Sequence, residues 1–164
     1  MANNHFHFKQ FTIRQDRCAM KVGTDGTLLG AWAPVQDAGM VLDIGTGTGL
    51  MALMIAQRQP SAWVEAIDLD ESAVSQAVQN VADSPFASRI RVFQQDVLEY
   101  NEFGKFDLLV CNPPYFQDSL PSPDPSRTLA RHNDSMPLDA LCSKAYDLLT
   151  DNGLFCLVLP YSQL

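Results

Sequence analysis

Apolar residues recur along this chain in two rhythms. Short apolar runs at 40–44, 63–68, 90–93, 106–110 and 154–159 have the length of buried strands. Between them lie stripes at helical spacing: Leu50, Leu53 and Met54 before Pro60, then Val74, Ala77, Val78 and Val81. A third stripe, Leu138, Leu141, Ala145 and Leu148, begins near Pro137, a residue suited to a first helical turn. Strands alternating with helices predict an α/β fold with a doubly wound parallel sheet.

The flanks follow other patterns. Residues 5–22 alternate loosely, with Phe6, Phe8, Phe11 and Ile13 apolar, which predicts a β-hairpin or extended arm over 1–22 ahead of a domain at 23–164. Gly23-Thr24-Asp25-Gly26 predicts a turn into a helix capped by Thr24 or Asp25, with Leu28, Leu29 and Trp32 inward and Pro34 ending it. Asp151-Asn152-Gly153 predicts a turn before the last strand. A long polar stretch, 117–136, carries Pro121, Pro123 and Pro125 and follows the fourth strand, where a loop of this length is placed to cover a ligand.

Composition narrows the class. With 164 residues, 46% of them hydrophobic, the chain has enough apolar content for one globular core. No apolar run approaches the length of a membrane span, and the N-terminus lacks a signal-peptide pattern. Cys18, Cys111, Cys142 and Cys156 are scattered without metal-ligand spacing, and are read as buried thiols of a reducing cytoplasm, with no metal. The net charge of −8 argues against a generic nucleic-acid binder. It is unevenly spread, however. Lys9, Arg14, Arg17 and Lys21 against Asp16 give residues 1–21 a net of +3, which leaves −11 on the rest. A basic arm on an acidic body is a candidate phosphate contact through Lys9 and Arg14.

Four segments carry chemistry. The strand 40–44 runs into Gly45-Thr46-Gly47-Thr48-Gly49, and glycines let a ligand approach the backbone closely. The spacing differs from the G-x-G-x-x-G of dinucleotide folds, and Asp43 beside the turn would repel a pyrophosphate. It favours an ammonium or a sulfonium, and S-adenosylmethionine carries both. The second strand ends at Asp68, an acid placed to accept from both ribose hydroxyls, while Asp70 is placed to cap the next helix. Asp96, after the third strand, is a candidate acceptor for an adenine amino group. After the fourth strand comes Asn112-Pro113-Pro114-Tyr115-Phe116. Two prolines stiffen the exit of that strand. The Asn112 side chain and the Pro113 carbonyl can each accept from an NH2 group, and Tyr115 can stack on a planar base.

Together, Asp43 to Gly49, Asp68, Asp96 and Asn112 to Tyr115 resemble the class I S-adenosylmethionine-dependent methyltransferases that modify amino groups, over roughly residues 20–160. The Phe-x-x-Lys-Gln-Phe-x-Ile region, Lys21 to Gly26 and Ala130-Arg131-His132 further resemble the bacterial tRNA (adenine-N6)-methyltransferases that act on adenine 37 of valine tRNA. The resemblance implies a Rossmann-like fold, S-adenosylmethionine as cofactor and the anticodon loop of tRNA as partner. It places Thr24 and Asp25 near the cofactor and Asn112, Pro113 and Tyr115 at the transfer step. Phe116 would assist the stacking, and Arg127, Arg131 and His132 would grip phosphates. The family fold has seven strands and five are read here, so the resemblance implies a chain truncated after the fifth. Protein glutamine-N5 and DNA or rRNA amino methylation share the same corner chemistry. A non-catalytic scaffold that binds S-adenosylmethionine or RNA is the alternative of another class.

Overall fold

The computed structural model describes residues 4–113 and 137–159. An antiparallel hairpin comes first, β1 (His5–His7) and β2 (Thr12–Arg14), with Phe6 opposite Ile13. Ile13 and Phe11 are buried, so the hairpin is anchored in the core and does not stand free of it. Helix α1 (Thr24–Trp32) leads to β3 (Met40–Ile44), α2 (Leu50–Arg58), β4 (Trp63–Asp68) and α3 (Glu71–Ala82). Then follow β5 (Ile90–Gln94), β6 (Phe106–Cys111), α4 (Leu138–Leu148) and β7 (Leu149–Leu157).

Five of these strands form one parallel sheet in the order β5-β4-β3-β6-β7. One sheet face, with Val41, Val64, Ala66, Leu108 and Val110, packs against α2, Leu29 and the hairpin residues Phe11 and Ile13. The other, with Leu42, Ile44, Ile67 and Leu109, packs against Leu141, Ala145 and Leu148 of α4. Sheets covered on both faces need continuous apolar strands, which is why these runs do not alternate. The chain order reverses at β3, so the crevice beyond the ends of β3 and β6 is the switch point where open α/β sheets bind ligands.

Five local expectations are corrected. Leu28 and Trp32 are not inward: they are 58% and 85% exposed. The buried face of α1 is Gly26, Leu29 and Gly30, because small residues let α1 approach α2 closely. A Cβ at Gly30 would lie 2.7 Å from Met54 Sδ. Neither Thr24 nor Asp25 caps α1; Gly23 is the N-cap and has no side-chain bond. Val78 is exposed, and α3 buries Ala73, Gln76, Ala77, Asn80 and Val81 in place of the purely apolar stripe. The Asp151-Asn152-Gly153 turn is absorbed into β7: between the pairs Phe106–Leu149 and Leu108–Leu154 the strand makes an irregular excursion, with Gly153 close against the Phe106 carbonyl. Of the four thiols, Cys18 and Cys111 are buried, Cys156 is half-buried and Cys142 is exposed, so the expectation of four buried thiols fails at Cys142.

Candidate active site

The glycine turn is built directly on the end of β3. The N–H groups of Gly45 and Thr46 both donate to the Ile67 carbonyl at 2.9 Å, which bends the chain away from the sheet. Gly45, Gly47 and Gly49 have φ of 69°, 55° and 81°, the left-handed region that favours glycine. Nothing lies within 4 Å of where a Cβ at Gly45 or Gly47 would be, so the turn presents bare backbone to open space. Gly49, against Ala77, begins α2.

Asp43 lies beneath this turn and is fully buried. Its Oδ2 accepts from the Thr46 hydroxyl at 2.7 Å and from the Ala52 N–H at 3.1 Å, tying the turn to the first turn of α2. Its Oδ1 has no partner among the described residues. Burial pushes the carboxyl up to about 7, opposed by those two hydrogen bonds and aided by the charge of Asp68. A buried carboxylate with an orphaned oxygen is completed by a cationic donor.

Asp68 ends β4. Its Oδ2 accepts from the Gly47 N–H at 2.8 Å and its Oδ1 from the Asp70 N–H at 3.0 Å. Each oxygen keeps a further lone pair for a ligand hydroxyl. Burial raises its carboxyl above the usual carboxylate range, partly offset by the backbone bonds. Asp70 caps α3 through the Ser72 N–H at 2.9 Å, as the sequence predicts. Asp96 is half-buried next to this edge. The Gln95 N–H donates to the Asp68 carbonyl, and Asp96 Oδ1 accepts from the Leu98 N–H at 2.8 Å, capping a short 3-10 turn. Exposed Leu69 and Leu98 sit beside these two acids in sequence, apolar side chains that sequence reading passed over.

Across the switch point, Cys111 is opposite Ile44 in register, so Asn112 leaves β6 level with Gly45. Burial, with the charges of Asp43 and Asp68, raises the Cys111 thiol, which marks how close the three strand ends lie. Gly26 of α1 packs on the corner: a Cβ there would meet Asn112 Nδ2 at 3.4 Å. The segment holding Thr24 and Asp25 is therefore brought beside Asn112. Pro113 is half-buried. Tyr115, Phe116, Arg127, Arg131, His132 and the 117–136 stretch lie outside the described residues.

The N-terminal segment runs along α3. Arg14 pairs with Asn80 and, at 3.4 Å, with Asp83; the Arg17 N–H donates to Gln76 Oε1 at 3.0 Å. Cys18 is buried, and the charges of Asp68 and Asp70 add to that burial in pushing its thiol up to about 12. Arg14, held at Asn80, thus sits about 15 Å along α3 from the Asp70 cap, at 1.5 Å per residue, and exposed Lys9 belongs to the same hairpin. The segment from Arg17 to Gly26 runs from α3 to Asn112. Sequence reading placed only its Thr24 and Asp25 near the cofactor and passed over its anchor on α3, although the polar Gln76 and Asn80 inside an apolar stripe were a readable signal.

The small-domain methyltransferase model matches residues 18–162, nearly the whole chain. The chain belongs to the methyltransferase small domain family. Within the family it is similar to the tRNA1(Val) (adenine(37)-N6)-methyltransferase of Bacteroides thetaiotaomicron, 57% identical over 98% of this chain and 68% of that one. The protein of the same name from Parabacteroides distasonis is 54% identical over 99% of this chain and 69% of its own. The one from Yersinia enterocolitica is 50% identical over 95% and 63%. Among solved structures, an S-adenosylmethionine-dependent methyltransferase from Thiobacillus denitrificans in complex with S-adenosyl-L-homocysteine aligns with a TM-score of 0.62 at 18% identity, over 89% of this chain and 54% of that one. At that identity it speaks for the fold, and it bears out the Rossmann-like parallel sheet. The resemblance to the tRNA (adenine-N6)-methyltransferases is borne out by the curated relatives.

Proposed function

We infer that this chain transfers a methyl group from S-adenosylmethionine to N6 of an adenine in tRNA, at position 37 in the anticodon loop of valine tRNA. The observation that carries the reading is the alignment, across one switch point, of an open glycine turn and the Asn112 corner. The curated relatives, 50% to 57% identical, supply the substrate.

The residues present fit the cofactor. The bare backbone at Gly45 and Gly47 leaves room for it, and the orphaned Oδ1 of Asp43 suits its ammonium. Asp68 would hold the ribose hydroxyls, Asp96 the adenine amino group, and Thr24 and Asp25 would flank the methionine end. When bound, S-adenosylmethionine would supply a sulfonium methyl group to the adenine N6, with S-adenosylhomocysteine and one N6 proton released.

The protein's task is then positioning and electrostatics. N6 is a poor nucleophile because its lone pair is delocalised into the ring. Asn112 Oδ1 and the Pro113 carbonyl would accept its two N–H bonds, favouring a more pyramidal nitrogen aimed at the cofactor. Tyr115 and Phe116 would stack on the base, and unstacking a loop base costs little. Lys9 and Arg14, with Arg127, Arg131 and His132, would contact phosphates away from the target base. Methyl transfer to a valine tRNA transcript, compared with the same transcript carrying guanine at 37, tests the assignment. Incorporation should require the adenine; equal labelling of both transcripts would refute the position.

A further inference from the structure

Three successive residues of the glycine turn are each held by one side chain. Asp43 holds the Thr46 hydroxyl, Asp68 holds the Gly47 N–H, and Asn80 Nδ2 donates to the Thr48 carbonyl at 2.8 Å. The first two acids belong to the strands beneath the turn. The third side chain comes from α3, ten residues beyond the Asp70 cap, and is 1% exposed. Asn80 also accepts the Arg14 N–H and donates to the Arg14 carbonyl, both at 2.9 Å. A primary amide has two N–H donors, and both are committed here. Clamping the hairpin would need only the Arg14 pair. The remaining donor goes to the turn.

We propose that Asn80 is a positioning residue for cofactor binding, its carboxamide fixing Thr48 from behind the turn and locking the turn to the hairpin backbone at Arg14. This rests on the reading of the turn as the cofactor site. Gly45 and Gly47 have φ values that cost little to leave, because glycine has many alternatives. External ties are what keep the turn in its open shape. With Thr48 released, the turn samples other shapes, and binding must restore the open one at the expense of affinity. The hairpin thereby becomes part of the cofactor site without touching the ligand.

The test is titration of S-adenosylhomocysteine into the parent chain, Asn80→Asp and Asp83→Ala. Asn80→Asp keeps the acceptor for the Arg14 N–H but turns an oxygen toward two carbonyls. Asp83→Ala removes the exposed Arg14 ion pair and leaves the Asn80 bonds intact. We expect Kd to rise about tenfold or more in N80D, which loses the buried bond to Thr48 along with the donor to Arg14, and to stay within about twofold in D83A. In turnover, KM for the cofactor should rise while kcat at saturation changes little. A folded N80D chain that binds as the parent does would overturn the proposal while leaving the cofactor reading intact. A parent chain that does not bind would overturn that reading, and this proposal with it. Should N80D not fold, the Asn80 side-chain amide signals of the parent decide: protection that rises on ligand addition supports the proposal, and signals indifferent to ligand overturn it.

Discussion

Oδ2 of Asp68 accepts the Gly47 N–H at 2.8 Å, so the acid that ends β4 holds open the glycine turn that ends β3. Two features that read as separate ligand contacts in sequence are one hydrogen-bonded unit. Asp68→Ala should therefore lose both a ligand contact and the turn. Leaving the part-buried Gly47 N–H without its acceptor costs about 1–3 kcal/mol, whereas the exposed Asp70 N–H can turn to water. Affinity for S-adenosylhomocysteine should fall at least about tenfold, with Asp68→Asn intermediate. Calorimetry showing unchanged affinity would refute the ribose role.

Asn112→Ala should separate binding from transfer. Removing one donor or acceptor aligned on a transition state typically costs about 10²–10³ in kcat. Cofactor affinity should stay within a few-fold, because Asp43, Asp68 and the glycine turn are untouched. Single-turnover methylation beside an affinity titration checks this, and near-normal turnover would contradict the assigned role.

Asp43 makes stability depend on pH. Its folded carboxyl lies at about 7, above its ordinary 3.8, because of burial. The folded state then holds a proton that the unfolded chain has released. That contribution is fully present below pH 3.8 and is lost as pH rises through about 7. Denaturant unfolding should show the parent losing stability across this window relative to Asp43→Asn. Parallel pH curves for the two proteins would refute it.

How much of this was legible beforehand depended on range. The glycine turn, Asp68, the Asp70 cap and the Asn112 corner are local signals, each set by residues adjacent in sequence, and they were readable. Leu28 and Trp32 were misread because helical spacing says that a stripe exists but not which face a neighbour covers; the close approach of α1 to Met54 at Gly30 decides that. Asn80 and Gln76 were passed over because burial of an amide is stable only with partners, and those lie far off in the chain: 66 and 32 residues for Asn80, 59 for Gln76. Asp43 was readable as an acid beside the turn, but not its second task, in which Oδ2 ties the turn to α2 while Oδ1 is left over.

Gly153 offers a control remote from the site. A Cβ there would lie 2.8 Å from the Phe106 carbonyl oxygen, which belongs to the sheet backbone and cannot yield cheaply. Gly153→Ala should cost about 1–3 kcal/mol of stability while leaving cofactor affinity unchanged at low temperature. Urea titration and calorimetry together test it; unchanged stability would mean that the β7 excursion relaxes freely.

The most direct measurement is transfer of labelled methyl from S-adenosylmethionine to unmodified tRNA, with DNA and release-factor protein in parallel, followed by nucleoside mass spectrometry. The expected product is N6-methyladenosine in tRNA, mapped to position 37 of valine tRNA. Label on a protein glutamine, or on DNA alone, would contradict it.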